Sequence, residues 1–168
     1  MAQTQGLILA LRSPHSASFV ELQQSFPSQA QVISTFVDQL MRFILRFRSA
    51  DGSEIDIETA LREALANAMV HGNHENPSKR VYVECRCYNN GEISITVRDE
   101  GLGFDSNSVP DPTTPEGRLS NHGRGIYLMK TLMDEVFFEE SGKVVHLRKK
   151  PNVGPLRRRE LNEVDPRA

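Results

Sequence analysis

Apolar residues recur along this chain in two rhythms, and the points where each rhythm stops divide it into elements. From Ala17 to Gln23 apolar and polar residues alternate, the period of a strand whose successive side chains face opposite ways, and Pro27 closes the segment. Ser28 then stands as a candidate N-cap for a helix reaching to about Arg48, because Val32, Phe36, Leu40, Phe43 and Phe47 return at intervals of three and four. Such a stripe must cover a core. Asp51 and Gly52 interrupt it, and Asp56 opens a second helix whose apolar face is Ile57, Leu61, Ala64, Leu65 and Ala68, ended by Gly72. Arg80–Tyr88 and Glu92–Arg98 alternate on either side of Asn89, Asn90 and Gly91, so a β-hairpin with an Asn-Gly turn is expected. Between Phe104 and His122 periodicity dissolves into Asp, Ser, Asn, Pro, Thr and Gly, a connection longer than compact domains carry without a functional reason, and it reads as a lid. A third helix from about Gly125 to Met133 follows, then strands Glu135 to Glu140 and Lys143 to Lys149 joined near Ser141 and Gly142.

Strands at both ends with helices between them predict a two-layer α/β sandwich, one mixed and mostly antiparallel sheet with its helices on a single face. Residues 1–16 carry no period and read as a leader, 17–150 as one domain, and 151–168 as a charged tail containing Arg157, Arg158 and Arg159. The length of 168 residues, with 38% hydrophobic and 25% charged residues, suits one globular domain. A formal net charge of −2 argues against direct nucleic-acid binding. With no apolar run of spanning length and no signal-peptide pattern at Met1 to Ala10, a cytoplasmic protein with no membrane attachment is expected. Cys85 and Cys87 share one face of a strand at a spacing unsuited to a disulfide framework and read as reduced thiols; a zinc site joining them to His71 and His74 lacks the two-residue spacer of such sites.

Three clusters carry candidate chemistry. On the second helix Glu63, Asn67 and His71 follow one another at four-residue intervals, so they line one stripe at the border of the apolar face. A carboxylate there can accept a proton, and a neutral amide oxygen can help hold Mg2+ without adding charge that opposes phosphates. The hairpin's second strand ends in Asp99, Glu100, Gly101, Leu102, Gly103, Phe104 and Asp105. An acid at a strand end can accept a hydrogen bond from an amino group such as adenine's, and the glycines let backbone approach a flat ring. Gly123, Arg124 and Gly125 precede the third helix, beginning at Ile126, where free N–H groups and the helix dipole favour phosphate and Arg124 adds a charged donor. Each motif alone also has a plain structural reading, as a solvated helix face or a glycine turn. Their order along one chain is what makes them specific.

In that order the chain resembles the ATPase superfamily shared by gyrase, the heat-shock chaperone, histidine kinases and the mismatch-repair ATPase, called GHKL. Its N box looks like Glu63-Ala64-Leu65-Ala66-Asn67-Ala68 followed by His71-Gly72, and its glycine boxes like Asp99-Glu100-Gly101-Leu102-Gly103-Phe104 and Gly123-Arg124-Gly125-Ile126. Within the group it is most similar to the stand-alone anti-sigma factor serine/threonine kinases, over roughly residues 17 to 149. The resemblance implies an ATP site in which Asp99 recognises the adenine amino group, Gly101, Gly103, Gly123, Arg124, Gly125 and Ile126 belong to the nucleotide-binding boxes, Asn67 ligates Mg2+, and Glu63 is the catalytic base. It further implies transfer of the ATP γ-phosphoryl to a serine or threonine of an anti-sigma factor antagonist, capture of a sigma factor by a homodimer, and release of that grip by the unphosphorylated antagonist. The family often begins its last strand with Gly-Thr, where this chain has Gly142-Lys143. Sensor histidine kinases, topoisomerases and chaperones would need further helical or transducer domains. The alternative to a kinase is a nucleotide-gated module that sequesters its partner without useful phosphoryl transfer.

Overall fold

The computed structural model describes residues 18–47, 52–103 and 123–152. The expected leader, the lid at 104–122 and the tail from 153 onward lie outside the described residues. Five strands, β1 (Phe19–Pro27), β2 (Arg80–Tyr88), β3 (Ile93–Arg98), β4 (Glu135–Glu139) and β5 (Val144–Lys149), form one sheet in the order β1-β2-β3-β5-β4. The helices are α1 (Gln31–Phe47), α2 (Glu54–Ala66), continued by a π-helical turn over Asn67–Gly72, and α3 (Arg124–Leu132).

The α/β sandwich is as expected, but its sheet contains only antiparallel pairs among the described residues. Two helices separate β1 from β2, so the chain travels out and back and the second strand returns antiparallel beside the first. After β3 a single described helix leads to β4, which runs the same way as β3. β5 pairs with both and keeps the two apart, so no parallel ladder forms.

Strand alternation assigns the two faces. Val81, Val83, Cys85 and Cys87 of β2, Ile93, Ile95 and Val97 of β3, and Val145 and Leu147 of β5 are buried on the side that α1 and α2 cover with Phe36, Leu40, Ile44, Ile57, Leu61 and Leu65. Each fully buried aliphatic side chain contributes about 1.5–3 kcal/mol from area removed from water. On the other face polar side chains pair across strands: Arg86 Nε donates to Glu21 Oε1 at 2.7 Å, Thr96 Oγ1 lies 3.1 Å from His146 Nδ1, and Arg148 Nε donates to Glu92 Oε1 at 2.6 Å.

Several boundaries move. β1 continues past Gln23 to Pro27, because Phe26 (7% exposed) carries the core face onward after the interruption by Gln24. Pro27 is tolerated there because β1 is an edge strand. Ser28 does not cap α1, which begins three residues later; its hydroxyl is buried without a partner and its backbone N–H donates to Lys79 O at 2.9 Å. α2 begins at Glu54 rather than Asp56, and its final stretch widens into the π turn, where Asn73 N–H reaches Ala68 O at 2.8 Å. Both cysteines are buried on the core face, whereas His71 and His74 are exposed, which separates the residues of the zinc alternative.

Candidate functional site

The π turn is the spine of the site, with one chemical cluster at each end. At its beginning Asn67 follows the last α-helical turn, which carries Glu63. Ile126 and Met129 anchor α3 in the core, and this brings the first turn of α3 against these side chains. The approach is close: a Cβ built on Gly125 would stand 2.7 Å from Glu63 Oε2, 3.4 Å from Asn67 Oδ1 and 3.5 Å from Asn67 Nδ2. With glycine at 125 the helix start lies this near a carboxylate and an amide without displacing the Glu63 side chain. Gly123 occupies the N-cap position and accepts the Tyr127 N–H at 3.0 Å, closing the first turn, while Arg124 is exposed. The α3 N-terminus therefore directs the positive end of its dipole toward the Glu63 cluster.

At the other end of the π turn, Gly72 meets the strand end of β3. A Cβ on Gly72 would fall onto the Asp99 carboxyl, 2.5 and 2.6 Å from its two oxygens, and a Cβ on Gly101 would run into the Gly72 carbonyl. Asp99 is only 7% exposed. Its Oδ1 accepts the Gly101 N–H at 2.7 Å, and its own N–H donates to Lys143 O at 3.0 Å. Burial pushes its carboxyl above the ordinary range, opposed by the Gly101 N–H and by Lys79, Lys143 and Arg98. Gly103 has φ +81 and lies against the β4–β5 turn, so that a Cβ there would strike Ser141 O. Lys143, where the resembling family often has threonine, thus supports Asp99 through its backbone.

The candidate residues Glu63, Asn67, Gly125 and Ile126 come together at one end, Asp99 and Gly101 at the other, and Gly103 on the rim beside β5. His71, which the four-residue spacing aligned with Glu63 and Asn67, lies exposed on the π turn, where the wider helical period no longer keeps that alignment. Gly72 and Asn73 had no assigned role in the sequence reading, although both touch the Asp99 segment. Gly72 was detectable as the helix end and as the glycine after the N box, without a role assigned to it. Asn73 sits in a run of polar loop residues and its partners lie in other elements, Arg80 in β2 and Glu100 beyond β3, so local pattern gave no signal for it.

Residues 26–149 match the family described as the histidine kinase-like ATPase domain. An anti-sigma F factor of Heyndrickxia coagulans is 38% identical over 97 residues, covering 55% of this chain and 66% of its relative. One from Oceanobacillus iheyensis is 37% identical over 83 residues, covering 48% and 56%. One from Clostridium perfringens (strain SM101 / Type A) is 38% identical over 102 residues, covering 58% and 72%. The chain therefore spans less than two thirds of the length of the first two.

Proposed function

Because this chain belongs to the histidine kinase-like ATPase family, we propose that it is an anti-sigma regulatory factor that uses Mg-ATP to phosphorylate a serine or threonine of an antagonist protein. The observation that carries the proposal is the meeting of Glu63, Asn67 and Gly125 at one end of the π turn with Asp99, Gly72 and Gly101 at the other. The relatives' name, anti-sigma F factor, supports a sigma factor as the captured partner. An antagonist substrate and a homodimer rest on the resemblance.

Each residue has a role matched to its chemistry. Asp99, an acceptor in a nearly dry setting, takes a hydrogen bond from the adenine amino group, and the missing side chains of Gly72 and Gly101 let backbone and carboxylate stand at the ring's edge. The donor set at the opposite end fits magnesium: Asn67 offers a neutral oxygen beside the Glu63 carboxylate, and an all-oxygen environment is what a hard cation takes. When bound, Mg2+ offsets the negative charge of the phosphates. The α3 N-terminus with Gly123, Arg124 and Gly125 supplies N–H donors and a cation to phosphate oxygens. Glu63 receives the proton of the attacking hydroxyl as general base, and Gly125 keeps its carboxylate uncrowded.

The test is phosphoryl transfer from γ-labelled ATP to a candidate anti-sigma factor antagonist protein. Wild type labels it, while Glu63→Gln binds ATP with unchanged affinity and loses at least about a hundredfold in rate, the range of general-base effects. Equal labelling by Glu63→Gln removes Glu63 from the mechanism. ATP binding and sigma capture without any labelled product would make the chain a nucleotide-gated sequestering module instead.

A further inference from the structure

Asn73 is buried with no measurable exposure, yet it is polar and follows a helix end. Every polar group of it that the structure describes is used. Its backbone N–H donates to Ala68 O at 2.8 Å, its Nδ2 donates to Arg80 O at 2.9 Å, and its Oδ1 accepts the Glu100 N–H at 2.9 Å. One side chain thus ties the end of the π turn to the first residue of β2 and to the segment just beyond β3. The same segment is held from both sides of that bond, since Gly72 packs on the Asp99 carboxyl and the Gly101 backbone packs on the Gly72 carbonyl. Glu100 is fixed again from β2, where its carboxylate accepts the Arg80 N–H and the Tyr82 hydroxyl, each at 2.8 Å.

These contacts have a direction. Gly72 and Gly101 meet by close approach, which sets a distance but resists sliding weakly, whereas a buried amide held at both ends fixes position and angle. From these contacts we infer that Asn73 is a positioning residue for base recognition: it holds the Glu100 N–H so that the neighbouring Asp99 carboxylate stays aimed at the exocyclic amine of the purine. The inference rests on the proposed role of Asp99. It assigns Asn73 no contact with the nucleotide. Removing the amide leaves the Glu100 N–H and the Arg80 carbonyl without the partner that Asn73 supplies, and the strand end then shifts to find others.

The experiment compares binding of ATP with that of purine riboside triphosphate, which lacks the 6-amino group, by calorimetry on the full chain. Wild type prefers ATP. Asn73→Ala and Asn73→Ser lose about tenfold of that preference, one hydrogen bond's worth, while their affinity for the amine-free nucleotide stays within about twofold of wild type. A general loosening of the fold lowers both affinities together and leaves the ratio intact, which overturns the proposal. Asp99→Asn separates the two levels of the argument. If wild type and Asp99→Asn both fail to distinguish the nucleotides, the role of Asp99 falls and this inference with it; if Asp99→Asn loses the preference but the Asn73 variants keep it, this inference alone falls. Should neither Asn73 variant fold, hydrogen exchange in wild type decides: a protected Glu100 amide supports the clamp and a freely exchanging one overturns it.

Discussion

Asp99, the proposed adenine acceptor, shows at the level of one residue how a site group is maintained against stability. Burial raises its pKa above the ordinary value of 3.8, so the folded chain holds the proton more tightly than the unfolded chain. Stability therefore falls as pH climbs from the unfolded value through the raised folded one, and above that window the ionised carboxylate is a standing cost. Asp99→Asn keeps an oxygen for the Gly101 N–H and removes the charge. It is expected to melt higher than wild type at pH 7, with the difference closing as the pH approaches 3.8, and to show a smaller shift with ATP. Melting curves across pH with and without ATP check both parts, and a variant less stable than wild type at neutral pH contradicts the assignment of cost to Asp99. Asp99 was readable from sequence because a strand pattern breaks at an acid followed by spaced glycines. Asn73 was not, since an asparagine that braces backbone groups of two other elements looks the same in sequence as one that faces water.

At the level of elements, two glycines set how closely parts of the site approach, and their surroundings predict opposite outcomes. Gly72 joins the π turn to the end of β3, where an added Cβ meets the Asp99 carboxyl, itself held by Gly101. Gly72→Ala is expected to cost about 1–3 kcal/mol by overpacking and to weaken ATP binding, measured by denaturant melts and calorimetry. Gly125 joins α3 to α2, where the Cβ meets the far end of the Glu63 side chain. That side chain can move, and alanine favours the helix, so Gly125→Ala is expected to change stability by less than about 1 kcal/mol. Displacing the base still slows phosphoryl transfer by about a hundredfold. Transfer at the wild-type rate in Gly125→Ala would contradict the base role. The hairpin and the three helices were legible as periods, whereas the π turn was not, because its residues continue an α-helical apolar pattern through Ala68 and no local signal marks the wider turn.

The whole molecule is a sheet whose helical layer brings α2 and α3 together, and nucleotide binding by the folded state alone stabilises it by mass action. Mg-ATP at about 100 times its dissociation constant contributes about 2.7 kcal/mol, or roughly 5–10 °C in melting temperature for a chain of this size. Adding a chelator is expected to remove most of that shift, and an unchanged shift after chelation would take Asn67 out of metal binding. The sequence by itself determined the elements, the division into a buried and a polar sheet face, and the order of acid, amide and glycine motifs, because hydrophobic period and turn chemistry are local properties. Tertiary structure alone decided that Gly125 lies on Glu63 and Asn67, that Gly72 lies on Asp99, and that Asn73 locks the segment between them. Those contacts join residues far apart in the chain, and distance through space follows from how helices seat on a sheet, which no local pattern encodes.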